Sequence, residues 1–305
     1  MDATYQPLIH VTSCADVESV RAQMVRFIFG TPSLPDILPE ITQNGMTVHM
    51  QNGFVSVVSV FQPGKPNGAL VIYHTGHEGY TLRDRSAIRT FLRAGYPVWR
   101  LDMPLIGANP RQVRVFLPEA GEVSFRQHHQ FAYLDQLTTG SPLRYFVEPV
   151  VALVNRAKVL EIGDIFMVGL SGGGWTTQLA AALDARIKGS YPVAAGVPLY
   201  LRFDRQKRNW GDWEENLPGL QRIAGFEDLS ILGAEGRSQL QVLNQFDPCC
   251  YNEPRYTLYA PAIQKVVESL GGHYAVHWSR GEFLHRANPT ALRMILTDMQ
   301  SRRVA

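Results

Sequence analysis

Hydrophobic and polar residues along this chain follow two periods, one typical of helices and one typical of strands. Residues 15–29 carry apolar side chains at helical spacing, which predicts an amphipathic helix. A Pro-rich stretch at residues 31–35 then separates this helix from the next elements. Residues 46–50 and 54–61 are two strand-like runs joined at Gln51-Asn52-Gly53, and this pattern predicts a β-hairpin.

Beyond the hairpin, short apolar strand patterns alternate with longer amphipathic helix patterns. This alternation predicts an α/β fold, with a mostly parallel eight-stranded sheet that has helices on both faces. The further strands are expected at residues 69–74, 96–101, 165–169, 194–198, 240–246 and 274–278, and the helices at residues 82–93, 143–158, 175–183, 255–270 and 290–301.

Two connections are too long to be simple loops, residues 103–141 and residues 200–239. Segments of this length usually carry a function or structure of their own. Both follow strands, so they are expected at the carboxyl ends of the strands, where open α/β sheets bind ligands. We therefore expect an N-terminal helical extension over residues 1–44, which packs on the sheet or mediates association. A single domain with these two inserted loop or cap segments follows over residues 45–305.

A serine flanked by glycines lies between the strand pattern at residues 165–169 and the helix pattern at residues 175–183. The sequence there is Gly169-Leu170-Ser171-Gly172-Gly173. A Gly-x-Ser-x-Gly turn from strand to helix is the nucleophile elbow, in which small neighbours let strand and helix approach closely. The helix N-terminus directs free backbone N–H groups towards negative charge that develops beside the serine. Ser171 is therefore the candidate nucleophile.

A serine nucleophile needs a base and an acid that orients the base. In the chain order that accompanies this elbow, the acid follows the serine and stands just past a strand. Asp247 does so, after the strand pattern at residues 240–246. The alternatives Asp204, Asp212 and Asp228 lie in the second insertion without a preceding strand, and Asp247 also suits a turn before Pro248.

The base should stand between the last strand and the last helix, and the chain offers nine histidines. His285 has this position, with Asn288 as the helix N-cap and Pro289 at the first helical position. His273 and His277 belong to the last strand pattern and are expected to be structural. His10 and His49 precede the elbow, where this chain order does not place the base. His128 and His129 are expected to be loop or lid residues rather than a metal pair.

An acyl-transfer site also needs two donors for the oxyanion. One is the backbone N–H after the nucleophile, here that of Gly172, and the other comes from the loop after the third predicted strand. This loop, residues 73–80, is rich in glycine and polar residues. His77 is the first choice for the second donor, with Thr75 or Gly76 in reserve. The same glycines also suit a tight turn with no chemical role.

At this point the chain resembles the α/β-hydrolase superfamily over about residues 45–305. The resemblance rests on Ser171 after the fifth predicted strand, Asp247 after the seventh, His285 before the last helix, and the loop His-Thr-Gly-His-Glu-Gly. Thr75 departs from the commoner His-Gly opening of that loop. The Ser-Gly-Gly-Gly-Trp run and the loop at residues 101–107 look most like the dienelactone-hydrolase and acetyl-esterase branch.

Composition narrows the possible partners. The chain has 305 residues, 45% hydrophobic and 18% charged, with a net charge of +2, so neither nucleic acid nor an anionic membrane is expected. The basic cluster Arg202, Arg205, Lys207 and Arg208 is expected to be a solvated loop. No apolar stretch is long enough to span a membrane and no signal peptide is visible. Cys249 and Cys250 are adjacent and can pair only as a vicinal disulfide. The chain therefore lacks the disulfide framework typical of oxidising compartments, and a cytoplasmic location is expected.

These features predict a serine hydrolase that cleaves a small-molecule carboxylic ester through an acyl-enzyme, with no metal or organic cofactor. The same residues also serve peptidases, thioesterases and acyltransferases, because a fold does not fix one reaction. A silent scaffold that only binds a ligand is the alternative from another class. Neither the substrate nor the oligomeric state follows from the sequence.

Overall fold

The structure is a computed structural model that describes residues 7–202 and 209–303. Its centre is a nine-stranded sheet in the order β1-β2-β3-β5-β4-β8-β9-β10-β11, with β6 and β7 as a separate antiparallel pair. The strands are β1 (Glu40–Thr42), β2 (Gly45–His49), β3 (Val55–Phe61), β4 (Ala69–His74), β5 (Val98–Leu101), β6 (Val113–Leu117), β7 (Gly121–Phe125), β8 (Asp164–Leu170), β9 (Ile187–Val193), β10 (Ser238–Asn244) and β11 (His273–Ser279).

The sheet is mostly parallel, as the sequence predicts, with its antiparallel strands at one edge. Strands β4, β5 and β8–β11 pair in parallel, whereas β1, β2 and β3 pair antiparallel. In the predicted hairpin, His49 pairs with Val55, and Asn52 and Gly53 take φ values of 55° and 76°. Asparagine and glycine tolerate this left-handed region better than other residues, which is why Asn-Gly marks such turns.

The predicted number of strands and one predicted strand are wrong. The ninth strand is β1, whose Thr42 pairs with Gly45, so the sheet begins within the predicted N-terminal extension. The strand predicted at residues 194–198 lies earlier, at Ile187–Val193. Lys188, Gly189 and Pro192 interrupt the apolar pattern of that strand. Ala194, with a φ of 47°, turns the chain out of the sheet.

The predicted long helices are present, with ends shifted by a few residues, except that the helix predicted at residues 255–270 begins with a 3₁₀ turn at Pro254–Leu258. Among the described residues, no helix is long and apolar enough to cross a membrane. The helices are α1 (Cys14–Phe29), α2 (Leu82–Arg93), α3 (Arg144–Val159), α4 (Gly172–Leu183), α5 (Leu199–Arg202), α6 (Pro218–Ile223), α7 (Phe226–Ala234), α8 (Ala260–Ser269) and α9 (Pro289–Ser301).

The helices cover both faces of the sheet because successive side chains of a strand point to opposite faces. In β4, Leu70 and Ile72 join the core formed with α1, α3, α4, α7 and α8. Val71 and Tyr73 join the core formed with α2 and α9. Every residue of β4 is buried, as expected for the centre of a parallel sheet.

Helix α1 is fastened to the helical layer by hydrogen bonds. Its N-cap Ser13 forms a capping box with Asp16, and Gly30 ends the helix in the left-handed conformation. Arg21 donates to the carbonyl oxygens of Ala182 and Leu232, at 3.0 Å each. The side chain of Arg21 therefore links α1 to α4 and α7.

Both insertions have structure of their own. The segment at residues 103–141 contains the β6–β7 hairpin and a 3₁₀ turn at His128–Leu134, and the segment at residues 200–239 contains α6 and α7. The expected solvated loop is wrong for Arg202, which is buried and bonded to Glu215 at 3.2 Å. The other members of that basic cluster, Arg205, Lys207 and Arg208, lie outside the described residues, as does Asp204.

Candidate active site

Ser171 lies at the turn between β8 and α4 in a backbone conformation that side-chain-bearing residues rarely adopt. Its φ is 57° and its ψ is −128°, and its N–H donates to the carbonyl of Val193 at 2.8 Å. Such strain persists only where the surroundings enforce it, and it is concentrated at functional sites. The conformation is the one that the glycine-flanked serine predicts.

The flanking glycines are required by contact with their neighbours. A Cβ on Gly169 would collide with the carbonyl of Gly173, and one on Gly173 with the carbonyls of His74 and Thr75. Gly76 is equally constrained, since a Cβ there would lie 2.8 Å from the Cβ of Ser171. The loop after β4 can therefore touch the serine only with glycine at position 76.

Asp247 and His285 form a buried pair. Nδ1 of His285 lies 3.0 and 2.9 Å from the two carboxylate oxygens of Asp247, and both side chains are almost fully buried. Oδ1 also accepts from the N–H groups of Cys249 and Cys250, at 2.9 and 3.2 Å. Burial alone would raise the pKa of Asp247, but His285 and these N–H groups outweigh it and lower the pKa below its usual value.

In a neutral imidazole whose Nδ1–H donates to this carboxylate, Nε2 carries the lone pair. This Nε2 is buried and has no hydrogen-bond partner among the described residues. Ser171 and His285 line the same cleft, of about 250 Å³. Cys249 and Cys250, which the structure joins in a vicinal disulfide, line it as well, whereas Cys14 is exposed and free.

Only some backbone N–H groups near Ser171 are free to act as oxyanion donors. The N–H of Thr75 donates to the carbonyl of Leu101 at 3.1 Å, so the reserve choice of Thr75 as an oxyanion donor is wrong. Among the described residues, no protein acceptor is found for the N–H groups of Gly76, His77 and Gly172. The ring of His77 lies against Gly172, 2.5 Å from where a Cβ would stand. His77 and Gly76 thus stay candidates for the second donor.

Asp102 holds this loop and is itself held by Asn109, and neither residue was given a role from the sequence. Asp102 accepts the hydroxyl of Thr75 at 2.5 Å and the N–H of Ala108 at 2.9 Å. Asn109 donates to the carbonyls of Asp102 and Met103. The hydroxyl of Thr75, the residue that departs from the common His-Gly opening, therefore links the loop to the first insertion. Asp102 directly after a buried strand was the available signal.

The other candidates considered from the sequence have other partners. Asp228 accepts the backbone N–H groups of His10 and Val11 and the ring of His10, which is a structural arrangement. Asp212 lies 3.4 Å from the ring of His77. The paired histidines point apart: His129 is exposed, whereas His128 turns towards His77.

His74, the last residue of β4, is a buried histidine whose titration opposes folding. Burial lowers its pKa to about 4, although Nδ1–H donates to the carbonyl of Thr75 at 2.9 Å and Asp102 lies nearby. An unfolded histidine has a pKa of about 6.5. The unfolded chain therefore binds more protons below that pH, and the stability held by neutral His74 is lost as the pH falls from about 6.5 to about 4.

We expect the free energy of unfolding of the wild type to fall more steeply between pH 6.5 and pH 4 than that of His74→Gln. Glutamine keeps a donor but cannot titrate, and the difference should reach at most about 3 kcal/mol. Urea unfolding at several pH values measures it. His49→Gln is the control, because His49 is exposed. Parallel pH curves for wild type and His74→Gln would contradict the assignment.

Comparisons with known proteins give one family model and several similar solved structures. A family model described as PhoPQ-activated pathogenicity-related protein matches residues 148–293. The chain has no significant match among curated proteins. The acetyl xylan esterase from Paenibacillus sp. R4 superposes with a TM-score of 0.57 at 15% identity, over 97% of this chain and 97% of that chain.

Two further solved structures show the same likeness. Acetyl xylan esterase 1 from Thermoanaerobacterium sp. JW/SL YS485 gives a TM-score of 0.57 at 12% identity, over 96% of this chain and 95% of that chain. Est1E from Butyrivibrio proteoclasticus gives a TM-score of 0.54 at 19% identity, over 85% of this chain and 99% of that chain. At such identities the likeness concerns the fold, and the resemblance noted in the sequence is confirmed: this chain has the α/β-hydrolase fold.

Proposed function

We propose that this chain is a serine hydrolase that cleaves a carboxylic ester. One observation carries the proposal: strained Ser171 shares a cleft with His285, whose Nδ1 is bonded to buried Asp247 and whose Nε2 has no hydrogen-bond partner in the described chain. A serine, a base with a free lone pair and an acid that orients the base are the requirements of nucleophilic catalysis.

The proposed reaction has two stages. Ser171 Oγ attacks the ester carbonyl carbon while His285 Nε2 takes its proton, and the charged imidazole is stabilised by Asp247. The alcohol leaves with the proton from His285, and an acyl-serine remains. Water then attacks the acyl carbon with His285 again as base, which releases the carboxylic acid and restores Ser171.

The oxyanion formed in each stage needs donors directed at it. We assign this role to the backbone N–H of Gly172, at the start of α4, and to the backbone N–H of His77. Gly76 allows the loop to approach Ser171, and the hydrogen bond of Thr75 to Asp102 holds it there. Fixed donors of this kind need no rearrangement during the reaction, which is the source of their effect.

The acyl group is proposed to be short. The cleft of about 250 Å³ is smaller than the pockets of roughly 300–1,000 Å³ that enclose drug-sized ligands. Two of the similar structures are described as acetyl xylan esterases, and ferulic acid is bound in a structure of Est1E. The cleft volume and the two acetyl xylan esterases favour an acetyl ester, with the alcohol part lying towards the insertions.

Hydrolysis of p-nitrophenyl esters from acetyl to dodecanoyl, together with acetylated xylo-oligosaccharides and peptide amides, tests the proposal. We expect kcat/KM for acetyl to butyryl esters to exceed that for octanoyl and longer esters by about tenfold or more, because each methylene that does not fit loses about 1–3 kcal/mol. Amide cleavage without ester cleavage would indicate a peptidase, and folded protein without any turnover would favour a binding scaffold.

A further inference from the structure

A second group of chemically active side chains lies beside the candidate nucleophile. His77, His128 and Glu214 come from the loop after β4, from the first insertion and from the second insertion. Three atoms of these side chains form a triangle. Nε2 of His77 lies 3.0 Å from Oε1 of Glu214 and 3.2 Å from Nδ1 of His128, and Oε1 and Nδ1 lie 3.3 Å apart. A tetrahedral ion with ligands at about 2.0–2.1 Å holds neighbouring ligand atoms about 3.3 Å apart. The triangle therefore has the size of one face of such a site.

The far nitrogens of both rings are held by acceptors. Nε2 of His128 lies 2.7 Å from the carbonyl oxygen of Pro104, which can only accept, so in a neutral imidazole this nitrogen would carry the proton and Nδ1 the lone pair. Nδ1 of His77 faces a carboxylate oxygen of Asp212 at 3.4 Å, and its Nε2 faces the triangle. Carbonyl and carboxylate partners of this kind orient metal-binding histidines.

Glu214 supplies the independent sign that a cation belongs here. Its side chain is completely buried, and its Oε2 has no hydrogen-bond partner among the described residues. A buried carboxyl group with an unused oxygen is costly unless a partner compensates it.

One hydrogen bond from His77 does not satisfy all three atoms of the triangle. With Nδ1 of His128 unprotonated, that nitrogen and Oε1 of Glu214 are two acceptors that face each other at 3.3 Å. One N–H of His77 can point to only one of them at full strength. A cation in the triangle is attracted by all three atoms at once, and two imidazole nitrogens with one carboxylate oxygen suit Zn²⁺.

We propose that His77, His128 and Glu214 bind a divalent transition-metal ion, with Zn²⁺ as the best fit. The ion would join three segments that are far apart in sequence, and it would fix the loop that carries the N–H of His77 beside Gly172. This site is a positioning site. Its effect on turnover rests on the proposed function, whereas metal binding itself does not.

Zn²⁺ titration of chelator-treated protein by calorimetry tests the site without substrate. Cys249, Cys250 and His285 form another group of possible ligands in the described chain, so the parent protein carries Cys249→Ser and Cys250→Ser. We expect one equivalent of Zn²⁺ with a Kd below about 1 µM. Glu214→Gln and His128→Ala should each weaken binding more than about 100-fold, because even outer partners contribute 10–100-fold. His129→Ala, at the exposed neighbour, should bind like the parent.

Two readouts keep the result independent of folding. Circular dichroism shows whether each variant is folded, and Zn²⁺ should raise the Tm of the parent and of His129→Ala but not that of Glu214→Gln. The oxidised wild type, titrated in the same way, replaces the double variant if that protein does not fold. A folded parent that binds no Zn²⁺, or binding that is unchanged in Glu214→Gln and His128→Ala, would overturn the proposal whether or not esters are cleaved.

Discussion

Ser171→Ala is expected to lower kcat on p-nitrophenyl acetate by about 10⁴-fold or more, with little change in KM. Removal of Oγ removes the atom proposed to form the acyl-enzyme, whereas the cleft and the proposed backbone donors stay in place. The fold should be retained, because the alanine methyl occupies the position of the serine Cβ in the same turn. Steady-state kinetics on purified protein measures the effect, and a fluorophosphonate probe should label the wild type but not the variant.

The control for this change is Ser124→Ala. Ser124 lies in β7, where its Oγ accepts from Gln112, and it is not among the residues that line the cleft. This variant should keep both turnover and probe labelling. If Ser171→Ala retained ordinary activity while folded, the serine mechanism would be wrong. If Ser171→Ala lost activity but the wild type took up no probe, Ser171 would be needed for binding and not for acyl transfer.

The parts of the fold that the sequence predicted are those in which local pattern and tertiary environment agree. Helix α2 was expected at residues 82–93 and lies at Leu82–Arg93, because its apolar stripe and its N-cap Thr81 both favour that span. The strained turn at Ser171 was predictable for a similar reason. Its glycines are required by contacts within the turn and with the strand next to it.

The prediction failed where the environment overrides the local pattern. The apolar signal of β9 is broken by Lys188, Gly189 and Pro192, yet the strand forms because β8 and β10 pair with it on both sides. The separation of Glu214 from His77 by 137 residues, and from His128 by 86, hid the second cluster. The sequence shows no short motif that contains all three residues, because only the fold brings them together.

The Asp247→Asn substitution, which replaces one carboxylate oxygen by nitrogen, is expected to lower turnover as much as the loss of Oγ from Ser171. The hydrogen bonds of Asp247 give the reason. Oδ1 is held by the N–H groups of Cys249 and Cys250, so an asparagine at this position would direct its carbonyl oxygen to them. Its NH₂ group would then face Nδ1 of His285. The carbonyl oxygen, 3.0 Å from Nδ1, would already accept two N–H groups, and the NH₂ group would stand in the place of Oδ2, 2.9 Å from Nδ1. Two donors cannot bond to each other, so this arrangement favours the imidazole with its proton on Nε2, which could not accept one from Ser171.

Asp247→Asn is therefore expected to lower kcat by about 10⁴-fold, the size expected when the base is held in the wrong tautomer. KM should change little, because the shape of the cleft beside Ser171 is unaltered. Labelling by the fluorophosphonate probe should slow in parallel with kcat. His285→Ala should show the same pattern. Kinetics at several pH values, with KM and kcat separated, distinguish this from a general loss of structure, which would change both.

Asp228→Asn is the matched control, because Asp228 also contacts Nδ1 of a histidine at 2.9 Å, that of His10, but it is not a residue of the cleft. This variant should lose stability, through weaker hydrogen bonds to the N–H groups of His10 and Val11, and keep its kcat. If Asp247→Asn retained kcat within tenfold while Ser171→Ala did not, the acid would be another carboxylate. Asp212 would then be the first to examine, since it lines the same cleft as His285.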